Sequence, residues 1–240
     1  MAIQPLTTQG LIVSCQAAPE DPLYGPEFMV RMALAAEQGG AIGIRCNGRD
    51  DIEAIKRAVS LPVIGLIKRE IAGSDIYITP ELEDVRAILE AGADIVALDL
   101  TNREDRYTKG KALIDYVHKA GSRVMADIST AEEALQAERM GVDYVSTTLS
   151  GYTPYSPQQE GPDLELIASL RGKLSVPLVA EGRIWSAEEA VAALAGGADY
   201  VVVGTAITRP QLVTQRFVNK IADFLSQTQT QARLIENKGG

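Results

Sequence analysis

Residues 91–99 read Ala91-Gly-Ala-Asp-Ile-Val-Ala-Leu-Asp99, and the phrase returns twice, as Met140-Gly-Val-Asp-Tyr-Val-Ser-Thr147 and as Gly196-Gly-Ala-Asp-Tyr-Val-Val-Val203. Each copy packs the end of a helix, a glycine turn, an aspartate and a short apolar run into eight or nine residues. Glycine tolerates the left-handed conformation that closes a helix. A short run rich in Val and Ile, set between helical patterns, reads as a strand buried on both faces. The phrase is therefore a unit of helix, tight turn and strand. Asp94, Asp143 and Asp199 fall at the amino ends of the strands, where turn and capping duty is expected.

Outward from that phrase the same beat covers the chain. Apolar runs fall at about 10–15, 40–45, 62–67, 94–98, 123–127, 143–147, 177–180 and 199–203, with helical patterns between them. Eight strand-plus-helix units in one chain of 240 residues predict a single (β/α)8 barrel, a TIM barrel of the phosphate-binding type, spanning 1–240. Helix starts and stops agree with this. Thr79 with Pro80 suits an N-cap and first helical position, and Thr130 with Glu133 and Ser186 with Glu189 have capping-box spacing. Gly39, Gly92, Gly121, Gly141 and Gly196 stand where left-handed closure is expected. The least regular stretch, 148–162, should lie on the working face, as a mobile loop or an ordinary connection. The polar tail beyond about 226 is expected to fray.

Composition narrows the function classes. The net charge of −9 argues against general nucleic-acid binding, which needs basic surface. No apolar stretch reaches the ~18–20 residues of a membrane helix. The start, Met1-Ala-Ile-Gln-Pro-Leu6, has no basic region followed by an apolar run, so no signal peptide is expected. The two cysteines, Cys15 and Cys46, read as buried thiols in a reducing cytoplasm. The only histidine, His118, lies late in a helix, so zinc or iron held by several histidines is excluded by count, as is a Ser-His-Asp set. No metal and no cofactor is expected, with magnesium held by carboxylates the one metal that the residue count leaves open. Symmetric self-association, a homodimer first, is the default expectation.

The strand ends carry Gln16, Arg45, Lys68, Asp99, Asp127, Thr147, Glu181 and Gly204. In a barrel all eight gather at one mouth. Lys68 follows Leu61-Pro-Val-Ile-Gly-Leu-Ile67, and little water at such a position lowers an amine's pKa and suits it to act as base or Schiff-base nucleophile. Glu181 ends the seventh strand, opposite the third, so an amine and a carboxyl can approach one substrate carbon from different sides. A structural ion pair with Arg183 or Arg45 is the plainer reading of Glu181. Arg45, buried, needs a carboxylate or an anionic substrate. Asp127 suits orientation of Lys68 or a grip on sugar hydroxyls, and Gln16 offers a donor and an acceptor. Asp99 is open to local satisfaction by Asn102, Arg103 and Arg106. Gly182 and Arg183 after the seventh strand, with Gly204, Thr205 and Arg209 after the eighth, form the expected phosphate cradle. A plain helix start with Thr208 as cap is the alternative there.

These residues together resemble the bacterial N-acylglucosamine-6-phosphate 2-epimerase family, whose members are also described as N-acetylmannosamine-6-phosphate 2-epimerases. The resemblance runs from about Gly10 to Arg209 and rests on Leu11-Ile-Val-Ser-Cys-Gln16, Ile42-Gly-Ile-Arg45, Pro62-Val-Ile-Gly-Leu-Ile-Lys68, Tyr77-Ile-Thr-Pro80, Met125-Ala-Asp-Ile-Ser129, Thr147-Thr-Leu-Ser-Gly-Tyr-Thr153, Ala180-Glu-Gly-Arg-Ile184 and Val203-Gly-Thr-Ala-Ile-Thr-Arg209. It implies a cofactor-independent isomerase that interconverts N-acetylmannosamine 6-phosphate and N-acetylglucosamine 6-phosphate in amino-sugar and sialic acid use. It further implies that Lys68 and Glu181 move the proton at carbon 2, that Gln16, Arg45 and Asp127 hold the sugar, and that Arg209 holds phosphate. Three other readings stay open on the residues alone: an aldolase-type lyase with Lys68 as Schiff base, an indole-glycerol-phosphate-synthase-like barrel, and a phosphosugar-binding barrel without turnover. The second would want an amino-terminal segment longer than the nine residues before Gly10.

Overall fold

A computed structural model describes residues 4–103 and 105–236, with backbone alone over 228–236. Its centre is a closed barrel of eight parallel strands in chain order: β1 Gly10–Cys15, β2 Gly43–Asn47, β3 Val63–Leu66, β4 Ile95–Asp99, β5 Arg123–Asp127, β6 Tyr144–Ser146, β7 Leu178–Glu181 and β8 Tyr200–Val203. Seven helices alternate with them: α1 Pro26–Gln38, α2 Arg49–Ala58, α3 Leu82–Glu90, α4 Arg106–Lys119, α5 Ala131–Met140, α6 Leu164–Leu170 and α7 Ala187–Gly196. After β8 come a single turn, α8 Thr205–Thr208, and the long α9 Pro210–Glu236.

Alternation along the strands divides the apolar residues into two layers. Val13, Ile44, Val63, Val96, Val124, Val145, Leu178 and Val201 face outward, against the helices. Ile12, Ile64, Leu66, Ile95, Ala97, Met125, Tyr144, Val179, Tyr200 and Val202 fill the barrel itself. The amino end is closed by the leading segment: Leu6 lies in the inner cluster, and the Tyr200 hydroxyl donates to its carbonyl at 3.1 Å. The opposite end is left for polar groups.

The repeated aspartates do one job three times. Asp94 accepts from the Val63 amide, Asp143 from Val124 and Asp199 from Leu178, each at 2.8 Å. Each begins a strand or its approach and binds the first or second amide of the preceding strand in the ring. The strand amino ends are thus joined in register, far from the mouth.

Some local expectations shift. Helix α3 begins at Leu82, with Glu81 and Asp84 forming the capping box, so Thr79 and Pro80 stand outside it. The cause is Arg106, buried in α4. Its guanidinium donates to the carbonyls of Asp99, Pro80 and Thr79, and Thr79 is held at φ +47°. Two of the five closing glycines are displaced by one residue: Gly40 and Gly197 take positive φ, while Gly39 is right-handed and Gly196 ends α7. The chain past 226 continues as helix to Glu236. Along α9, Phe217, Val218, Ile221, Phe224 and Leu225 are each more than half exposed. Its Arg216 guanidinium lies 4.7 Å from the Trp185 ring centroid. Among the described residues no helix is long and apolar enough to cross a membrane.

Candidate active site

Each side chain at the mouth stands one inward step beyond a barrel-filling residue. Arg45 is two residues past Gly43, Lys68 past Leu66, Asp99 past Ala97, Asp127 past Met125 and Glu181 past Val179. Period-two geometry therefore sends them into the same basin.

Arg45 and Asp127 make its floor. Nη1 and Nη2 donate to both carboxylate oxygens at 3.1 and 2.6 Å, and the two side chains are 1% and 0% exposed. Nη1 also lies 3.4 Å from the Met125 sulfur. Arg45 Nε stands 3.3 Å from Glu181 Oε1, off the line of a hydrogen bond. Burial works against the guanidinium charge, but Asp127 and Glu181 outweigh it and keep Arg45 charged.

Glu181 is held through Oε2 instead, 3.1 Å from the Thr148 hydroxyl and 3.5 Å from that of Ser146. Burial raises its pKa above the ordinary 4.5; Arg45 opposes the rise and Asp127 adds to it. Lys68 moves the other way. Its pKa falls below 10.5, first through loss of water around the amine and then through the Arg45 charge, with Glu181 and Asp127 opposing. More than a third of the residue still meets solvent, because the basin opens upward. That openness moderates the depression. An amine brought down and a carboxyl brought up at one mouth differ less in proton affinity than the free groups do.

The backbone under Lys68 is braced. Its amide donates to Asn47 Oδ1 at 2.8 Å, and the residue pairs antiparallel with Ile78. This return of the chain after β3 brings Tyr77 over the basin, where burial, and then Asp127 and Asp99, push its phenol up to about 12. At the end of β1, Gln16 Nε2 donates to Ser14 Oγ at 2.8 Å, while Oε1 is buried with no partner. Asp99 is satisfied locally, by the amide and hydroxyl of Thr101 and by Arg103 Nη2 at 2.8 Å.

Thr147, from the sequence set, points elsewhere. Its hydroxyl bonds the backbone carbonyl and amide of Glu181, both at 3.0 Å, bracing β6 to β7. The inward positions are Ser146 and Thr148. Sequence reading missed both, although counting alternate residues from Tyr144 finds them. Tyr77 carried no comparable signal, since only the folded-back segment places it.

The proposed phosphate residues fall at neighbouring strand ends. Gly182, at φ +113°, and Arg183, at φ +56°, follow β7; Gly204 and Thr205 follow β8. Thr208 is not a cap: its hydroxyl donates to the Ser14 and Gly204 carbonyls. Arg209 donates to Asp21 at 2.7 Å, and its charge reaches Lys68. Arg183 reaches sideways, with Nε on the Gly161 carbonyl at 2.8 Å and its guanidinium 5.8 Å from the Tyr152 ring centroid. The stretch 148–162 is tied down at other points as well. Tyr155 donates to buried Glu133 at 2.6 Å, Thr153 to Ser129 at 3.0 Å and Ser150 to Asp163 at 2.5 Å. Cys15 and Cys46 face each other in register across β1 and β2 as free, buried thiols, the first pushed up to about 12 chiefly by burial.

Comparison with known proteins points to one family. The family model described as "Putative N-acetylmannosamine-6-phosphate epimerase" matches residues 29–223. A protein of that description, with 2-epimerase in its name, from Caldanaerobacter subterraneus subsp. tengcongensis is 57% identical over 217 residues, covering 89% of this chain and 92% of the relative. One from Clostridioides difficile is 50% identical over 212 residues, covering 88% and 95%. Among solved structures, the N-acetylmannosamine-6-phosphate 2-epimerase from Clostridium perfringens superposes with a TM-score of 0.84 at 49% identity, covering 87% of this chain and 92% of that one.

Proposed function

The chain belongs to the N-acetylmannosamine-6-phosphate epimerase family, and from that premise we propose that it inverts carbon 2 of N-acetylmannosamine 6-phosphate to give N-acetylglucosamine 6-phosphate. In the open-chain sugar the carbon-2 proton lies beside the aldehyde and is acidic. Lys68, as free amine, takes this proton, and the electron pair passes into an enolate whose charge sits on the carbon-1 oxygen. Arg45 lies beneath the developing charge. Glu181, protonated, returns a proton to the other face. Ammonium and carboxylate are then reset by proton exchange across the basin. The single observation carrying this reading is one barrel mouth that brings Glu181, and Lys68 just beyond β3, to the buried Arg45–Asp127 pair.

In this reading Gln16 Oε1, buried and unpaired, accepts from the substrate's amide or a hydroxyl. Asp127 takes a further hydroxyl. Phosphate sits over Gly182, Gly204 and Thr205 with charge from Arg209. Arg183, engaged by Gly161 and Tyr152, fixes the loop beside it. We place the chain in the cytoplasm, where Cys15 and Cys46 stay reduced. We also propose a homo-oligomer, in which a second copy covers the apolar stripe of α9, since so much exposed apolar surface is unusual on a monomer.

Proton NMR of N-acetylmannosamine 6-phosphate in heavy water tests the function. Product with deuterium at carbon 2 and no carbon–carbon cleavage is expected. Borohydride trapping of a Lys68 adduct, or binding without turnover, overturns it.

A further inference from the structure

We propose that Tyr77 is a catalytic residue of the epimerisation: its phenol hydroxyl donates a hydrogen bond to the carbon-1 oxygen of the sugar as that oxygen takes up the enolate charge. This rests on the reaction assigned above and concerns only the removal of the carbon-2 proton, whichever group returns it.

The chain after β3 turns back on itself. The Arg69 amide donates to the Tyr77 carbonyl at 2.9 Å, the Thr79 amide to that of Ile67 at 2.7 Å, and Lys68 pairs with Ile78 between them. Distant groups hold the returning strand: the Asp99 amide donates to the Ile78 carbonyl at 3.2 Å, and Arg106 donates to the Thr79 and Pro80 carbonyls. Alternate residues leave such a ribbon on opposite sides, so Tyr77 is out of step with Lys68. Half-buried, it packs against the inner apolar cluster, and its charged and titratable neighbours are Asp127, Asp99, Tyr152 and Arg45. The amine therefore stands just beyond β3, and the phenol is turned toward the ends of β4 and β5.

Hydrogens for an enolate oxygen are scarce at this mouth. Arg45 spends three of its five N–H groups, Nη1 on Asp127 and the Met125 sulfur and Nη2 on Asp127 again. Its side chain is 1% exposed, so it acts on a substrate through its field. Thr148 donates to Asp127 at 2.7 Å, and Ser146 lies 2.8 Å from Thr148. The Tyr77 hydroxyl has no hydrogen-bond partner among the described residues. Burial, then Asp127 and Asp99, push its pKa up to about 12, so it stays an O–H and gives a hydrogen bond, not a proton.

Such a donor tells the two states of the sugar apart. When Lys68 takes the proton, the carbon–hydrogen pair becomes the double bond between carbons 1 and 2, and the carbonyl pair moves onto oxygen. The Tyr77 contact then becomes charge-assisted, roughly twice as strong as a neutral one. An interaction that strengthens in the transition state raises kcat rather than lowering KM.

The test is Tyr77→Phe, followed by NMR of N-acetylmannosamine 6-phosphate in heavy water. Phenylalanine keeps the ring against the inner cluster and deletes the hydroxyl. We expect kcat and kcat/KM to fall together by about 10²–10³-fold, the loss for one donor to a developing oxyanion, with KM and the melting midpoint nearly unchanged. Substrate deuterated at carbon 2 should show an isotope effect at least as large as in the wild type. A kcat near wild type, a change in KM alone, or an isotope effect that shrinks in the variant overturns the proposal, the last because it puts the loss at another step. If Tyr77→Phe loses its cooperative melt, a ring-fluorinated tyrosine at position 77 carries the comparison: this stronger donor of nearly the same shape should hold or raise kcat, and a fall overturns the proposal. A wild type without carbon-2 exchange overturns the functional reading itself, separately from any Tyr77 result.

Discussion

Arg45 on β2 and Asp127 on β5 meet across the barrel with two nitrogens on two oxygens, at 3.1 and 2.6 Å, and neither is reached by water. The pair fixes both the guanidinium that faces Glu181 and the carboxylate that Thr148 addresses. Removing one member leaves the other buried and uncompensated, which costs about 3–5 kcal/mol. Asp127→Ala should lose stability of that order in urea unfolding and lose turnover as well. A variant as stable as the wild type would show that the pair contributes little to folding.

Lys68→Met keeps the stem of the side chain and deletes the amine. Its neighbours hold the backbone through Asn47 and Ile78, so the barrel should stay folded. Turnover should fall by roughly 10²–10⁴-fold, the usual contribution of a positioned base. Near-normal turnover with an unchanged melting temperature would remove Lys68 from the mechanism.

The pH profile of kcat/KM should be bell-shaped. Neutral Lys68 becomes more abundant as pH rises toward its pKa, and protonated Glu181 becomes scarcer once pH passes its own. The product of the two fractions is largest between those values. With Glu181 raised and Lys68 lowered, the acid limb should lie above 4.5 and the alkaline limb below 10.5. Glu181→Gln should abolish the alkaline fall and leave activity that only rises toward the Lys68 pKa; a persisting alkaline fall would assign it to another group.

Gly65, in the middle of β3, has no room for a side chain. An added Cβ would lie 2.7 Å from Ile88 Cγ2 and 2.9 Å from both Ala93 Cβ and Ile52 Cδ1. Gly65→Ala should therefore destabilise the barrel by about 1–3 kcal/mol, as overpacking does. Unchanged unfolding midpoints would mean that α2 and α3 can draw back without loss.

Glu133 accepts from the amides of Asn102, Ser129 and Thr130 and from the Ser129 and Tyr155 hydroxyls. Glu133→Ala strands those donors. Faster hydrogen exchange across 148–162 is expected, with a stability loss of a few kcal/mol. Protection equal to the wild type would show that Arg183 and Asp163 suffice to hold the loop.

Most of the barrel was legible in one dimension because its physics is local and periodic. Short apolar runs fix strands, capping residues such as Thr130 and Ser186 fix helix starts, and eight repeats leave a closed ring as the natural solution. The residues at the strand ends followed from the same count. Three things required the folded chain. Arg106 holds Thr79 out of α3 from a different helix. The return of the chain after β3 sets Tyr77 over Asp127. And the choice between Thr147 and Thr148 is a matter of one residue of register, which sends a hydroxyl either to the backbone of β7 or between two carboxyls. Composition and period tell which groups a mouth can collect. Only the closed ring, by fixing distance and burial, decides which of them touch.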